Sequence, residues 1–112
     1  MNQIEAAAQT AAEWWGARLE RGDRAKFVET LRDLIRKDLE ECGHCELSCD
    51  YDPEGHLLAA VRACGVECSG VFFSAQGILP QKHFTRIETD LIEPKEGYGN
   101  WTDPIPIVTE TP

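Results

Sequence analysis

Apolar side chains recur every three or four positions in the first part of the chain. Ile4, Ala8, Ala11, Trp15 and Leu19 form one such stripe, which predicts a helix over residues 3–20. Trp14 lies one residue off the stripe and borders it. The alanines leave room for a close neighbour. Arg21–Asp23 then reads as a turn, with Gly22 closing one helix and Asp23 capping the next. A second stripe of Phe27, Leu31, Leu34, Ile35 and Leu39 predicts a helix over 24–41, with charged residues on its other side. So short a turn between the two makes them an antiparallel hairpin.

At Gly43 the period changes from nearly four to two. Cys45, Leu47, Cys49 and Tyr51 fall on one side of a strand; His44, Glu46, Ser48 and Asp50 fall on the other. Asp52 and Pro53 suit the cap and first position of a short third helix, whose inner face is Leu57, Leu58, Val61 and Cys64. Gly65 stands where a left-handed terminator belongs. Residues 70–74 read as a strand, followed by a turn at 75–77. Beyond Pro80, Thr85, Ile87, Thr89 and Leu91 alternate with Arg86, Glu88 and Asp90, which predicts one strand over 83–92. A short edge strand is placed near Tyr98–Trp101.

These elements make a single α+β domain over residues 1–112. Residues 1–41 are the helical hairpin and 42–102 the strand–helix–strand–strand part. Residues 103–112 are a frayed tail. The third helix and the hairpin pack on a small three-stranded, largely antiparallel sheet.

Charge narrows the partners. The chain carries 11 Lys and Arg against 20 Asp and Glu, a formal net charge of −9. Residues 42–112 hold four basic and eleven acidic side chains, so that part is the acidic one. Such a surface disfavours direct contact with nucleic acid or anionic lipid and suits a basic surface on another protein. The N-terminal segment has no basic region ahead of its apolar run, which itself carries Glu5 and Glu13. No apolar run approaches the roughly 20 residues that span a bilayer. A cytoplasmic location is expected, where thiols stay reduced.

All five cysteines lie between residues 42 and 68. Cys42, Cys45, Cys64 and Cys68 have the pair-and-pair spacing of a structural zinc site, which would make the chain a small zinc interaction module. The alternation and the helical stripe instead give Cys45, Cys49 and Cys64 packing roles as small apolar residues. The packing reading leaves metal and cofactor sites empty of assignment and accounts for three thiols. A thiol enzyme is the third alternative, with Cys49 as nucleophile and His56 as its base. No residues with established catalytic spacing support it, and the chain is read as a non-enzyme. Gly97–Gly99, with Trp101 nearby, is read as a turn whose aromatic residues close the core, in preference to a platform that stacks a base or ring.

If strands 44–51 and 83–92 share a sheet, their outward positions are mostly acidic. Glu46, Asp50, Glu88 and Asp90 would then imitate a row of phosphates, extended by Glu93 and Glu96. These six carboxylates are the candidate partner-binding residues, opposite Lys and Arg that normally hold a nucleic-acid backbone.

The segments "YDPEGHLLAAVRACGVECSG", "GILPQKHFTRI" and "KEGYG", with "EWW" and "FVETLRDLI" before them, resemble a loose group of small accessory proteins of phages, prophages and bacterial mobile elements. That resemblance implies a phage-encoded protein acting in a host cell and carries no catalytic residues. By analogy of size and acidity it points to an anti-CRISPR type of inhibitor. Its partner would be a host nucleic-acid-binding defence complex, such as a CRISPR effector, whose basic surface it covers.

Overall fold

A computed structural model describes residues 2–50, 53, 55–65 and 78–108. Helix α1 spans Gln3–Gly16 and helix α2 spans Arg24–Cys42. Asn2 caps α1 by accepting from the Glu5 backbone N–H, and Asp23 caps α2 by accepting from that of Lys26. The first helix ends four residues earlier than its stripe predicts. After Ala17 the backbone switches to tighter turns, with Arg18 N–H to Trp15 O and Leu19 N–H to Gly16 O. Glu20 N–H then leaves the helix for Ile78 O at 2.8 Å. Gly16 marks the crossing with α2, because a Cβ there would stand 2.5 Å from Val28 Cγ2.

Gly43 ends α2 with φ of 80°. Strand β1 follows at once, His44–Cys49, with Cys45, Leu47 and Cys49 buried and His44 and Glu46 exposed, as the alternation predicts. Helix α3 is His56–Ala63 and buries Leu57, Ala60 and Val61. Its cap is Gly55, with no side-chain cap, and Pro53 lies outside the helix, bridged to Cys49. Tyr51, Asp52, the 70–74 strand and the 75–77 turn lie outside the described residues.

The segment read as one strand over 83–92 is a hairpin. Strand β2 is His83–Glu88, Thr89–Asp90 is the turn, and strand β3 is Leu91–Glu96. Ile87 pairs with Ile92, so the inward parity passes to Ile92 and Leu91 leaves the core side. The predicted edge strand near Tyr98–Trp101 does not form. A short strand β4, Ile105–Pro106, pairs with Leu91–Ile92 instead, inside the segment expected to fray. Among the described residues the sheet is therefore four-stranded and antiparallel, in the order β1-β2-β3-β4.

Helices α1 and α2 pack on one face of this sheet, and α3 lies against α2 and β1. The class is α+β with a helical hairpin, as the sequence predicts. Ala7, Ala8, Ala11 and Ala12 are fully buried and hold α1 close between α2 and the sheet. Trp15, Phe27, Leu31, Ile35, Ile87 and Ile92 fill the core around them. Trp14 borders it, edge-on to Trp15, with the Arg18 guanidinium 3.6 Å above its ring. No helix among the described residues is long and apolar enough to cross a membrane.

Candidate functional site

Strand alternation places Arg86 on the sheet face away from the helices. Its register partners are Glu46 on β1 and Glu93 on β3. Arg86 Nε lies 3.7 Å from Glu46 Oε1. The chain after β3 curls back over this face, fixed by Thr102 N–H donating to Pro94 O. That return puts the Trp101 ring 4.0 Å from the Arg86 guanidinium. Lys95 Nζ stands 5.4 Å from the same ring and 5.6 Å from that of Phe84. Lys82 lies 4.9 Å from the Tyr98 ring, which tilts against Phe84. Three cations and three aromatic rings are thus interleaved across the open face. A shallow cavity of about 320 Å³ opens between Trp101, Arg86, Phe84, Glu46 and Ser48.

The six expected carboxylates do not form one row. Glu46, Glu88 and Glu93 share the open face. Glu96 has the parity of Ile92 and Pro94 and turns to the helix side, where it accepts from Arg18 at 2.9 Å. Asp50 lies past the end of β1 and accepts a hydrogen bond from the Tyr98 hydroxyl. Asp90 sits in the β2–β3 turn, where its backbone carbonyl accepts from Ile107. The face is balanced rather than acidic, because one-strand parity misplaced Asp90 and hid Lys95. Tyr98 is 58% exposed and does not close the core.

The thiols separate by depth. Cys45, Cys49 and Cys64 are buried and Cys42 is exposed at the end of α2. Cys64 donates its S–H to Val61 O at 3.0 Å. Cys42, Cys45 and Cys64 do not come together as a ligand group, and Cys68 lies outside the described residues. Cys49 has no exposed surface, so no substrate reaches it. His56 stands with Cys45 instead, and with Asp38.

Asp38 comes from the last turns of α2, Cys45 from β1 and His56 from the first position of α3. His56 Nε2 and Asp38 Oδ2 are 2.7 Å apart. The Cys45 Sγ completes a group whose three donor atoms all lie within 4.8 Å of one another. Burial pushes the Cys45 thiol up to about 12, helped by its hydrogen bond to Asp38 and by the charges of Asp38 and Glu46. Without a cation it is a protonated thiol at neutral pH, not a nucleophile. An opening of about 310 Å³, lined by Asp38, His56, Gly55, Glu46 and Ser48, exposes the Asp38 and His56 side of the group to solvent. The sequence pattern pairs His56 with β1 through Cys49 but carries no ligand motif at Asp38. Only its place beside the α2 stripe signalled it.

No protein-family model matches the chain, and no curated protein or solved structure does either.

Proposed function

We propose that this protein is a binding module that docks the open face of its sheet onto a basic surface of another protein. The observation carrying this reading is the Trp101 ring stacked at 4.0 Å on Arg86, on the sheet face opposite the helices. Trp, Tyr and Arg are the side chains that dominate protein-interface energetics. The net charge of −9 sets the sign of the partner, and Glu46, Glu88 and Glu93 supply carboxylates at the face itself. The narrower reading is a phage inhibitor that covers the nucleic-acid channel of a host defence complex, such as a CRISPR effector. It is supported by acidity, small size and the sequence resemblance.

The test is parallel capture from a bacterial lysate with active defence systems, using the wild-type chain, Trp101→Ala and Glu46→Lys/Glu88→Lys. A partner held by the wild type, lost with both variants and displaced by added DNA supports the narrow reading. A partner captured equally by all three rejects the face. A partner lost with Trp101→Ala but indifferent to DNA leaves a docking module and rejects nucleic-acid mimicry.

A second reading rests on Lys82, Arg86 and Lys95 interleaved with Phe84, Tyr98 and Trp101, the composition of a stacking platform for single-stranded nucleic acid. The overall charge opposes it. Titrating a mixed-sequence oligonucleotide against Trp fluorescence at low salt separates the two, since only direct binding gives saturable quenching that Trp101→Ala abolishes.

A further inference from the structure

We infer that Asp38, Cys45 and His56 form a site for one divalent transition-metal cation, zinc foremost, with a coordination position open to solvent. The inference concerns the rim where α2, β1 and α3 meet, and it does not depend on the docking face.

Geometry comes first. The Asp38 oxygen, the Cys45 sulfur and a His56 nitrogen lie within 4.8 Å of one another. Around tetrahedral zinc, with bonds of about 2.0–2.3 Å, ligand atoms stand roughly 3.3–3.8 Å apart. Binding replaces the 2.7 Å hydrogen bond between His56 and Asp38, so that pair moves apart while both turn towards the Cys45 sulfur; each is about one-third exposed at the side chain and can rotate. Cys45 is the rigid member, buried on the inner face of β1. The three donors come from three different elements whose packing already holds them together, so the site is preformed by the fold.

The donor set selects the cation. One sulfur, one imidazole nitrogen and one carboxylate oxygen suit zinc and its borderline neighbours, and they exclude the hard, all-oxygen preference of calcium and magnesium. On binding, the Sγ–metal bond replaces the S–H bond and the proton leaves to solvent. Asp38 and the nearby Glu46 offset the cation's charge. Among the described residues three protein ligands stand beside an opening of about 310 Å³, which leaves the fourth position to water or a small ligand. Closed structural sites use four protein ligands; this one has the plan of an open site.

Metal-free full-length protein is titrated with zinc against a chromophoric chelator, and separately with cobalt(II). One equivalent of zinc is expected, with a thiolate-to-cobalt charge-transfer band. Asp38→Asn and His56→Gln should each weaken zinc by at least about tenfold, and Cys45→Ser should remove the cobalt band. Cys42→Ser, at the exposed thiol, should change neither. Should Cys45→Ser fail to fold, His56→Gln at the partly exposed helix start carries the test alone, with its melting curve as the folding control. The inference fails if fewer than about 0.1 equivalents of zinc bind at micromolar free metal. It also fails if a folded His56→Gln binds like the wild type, or if the cobalt band depends on Cys42. In each case Asp38 and His56 are a hydrogen-bonded pair beside a buried thiol and no more.

Discussion

The indole N–H of Trp15 donates to Thr85 Oγ1 at 2.9 Å, joining α1 to β2 across 70 residues of sequence. Both side chains are buried, and Thr85 is the one buried polar residue of the described core. A buried donor without an acceptor costs about 1–3 kcal/mol. Thr85→Val keeps the volume and removes the acceptor, so it should destabilise by that amount in urea unfolding. Trp15→Phe/Thr85→Val should cost clearly less than the two single changes together, because neither partner is then left unpaired. Additive losses would mean that the bond contributes nothing to stability.

Gly16 is set by contact rather than by backbone freedom. Gly→Ala in a helix ordinarily stabilises by about 0.5–1 kcal/mol. Here the added methyl meets Val28 Cγ2, a stiff branched side chain. Gly16→Ala should therefore lower stability by about 1 kcal/mol or more, as small overpacking does. Adding Val28→Ala should return most of that loss. A stabilised Gly16→Ala single variant would place the helix crossing elsewhere.

The register of β1 predicts opposite outcomes for adjacent faces. Cys49 is fully buried, so Cys49→Ala should cost on the order of 1 kcal/mol. Cys49→Asp should cost several times more, because a carboxylate is desolvated there. Glu46→Lys, on the exposed face, should change the melting temperature little. It also places a second cation opposite Arg86, which should show as a small, salt-sensitive loss. Melting curves of the three variants check the register, and an unfolded Glu46→Lys beside a stable Cys49→Asp would reverse it.

Stability should also fall at alkaline pH through Cys45. In metal-free folded protein this thiol titrates near 12, against an ordinary value of 9.0. The raised value means the native state keeps its proton longer than the unfolded chain. The contribution is complete below pH 9 and declines as pH rises from 9 towards 12, by at most about 1.4 kcal/mol per unit. Urea midpoints of chelator-treated wild type and Cys45→Ala between pH 7 and 10.5 measure this. The wild type should lose more above pH 9, and parallel curves would reject the assignment.

Helix α2 and strand β1 were legible because their periods differ sharply on either side of Gly43. The β2–β3 turn was not. Thr89 and Asp90 carry none of the Asn-Gly or Gly signals of a tight hairpin, and their alternation runs on unbroken from Thr85 to Leu91. One missed turn inverted the parity of everything after it, which moved Asp90 off the face and concealed Lys95. Trp101 returns to Arg86 through a Thr102–Pro94 contact that no local pattern encodes. The Asp38–Cys45–His56 group is tertiary in the same sense. Spacings of seven and eleven residues match no ligand motif, and the three meet only because α2 and α3 pack against the same edge of β1.

The alanine face of α1 bears on how the chain is made. The helical hairpin is complete at Cys42, but the strands that cover it, β2 and β3, are complete only at Glu96. At the usual 5–20 residues per second, about fifty residues of synthesis separate those events by roughly three to ten seconds. Through that interval a nascent chain presents Trp15 and its neighbours to water, with Trp15 lacking its Thr85 acceptor. Ribosome-associated holdases would meet the hairpin then, and codons slowing translation between residues 43 and 83 would lengthen its exposure.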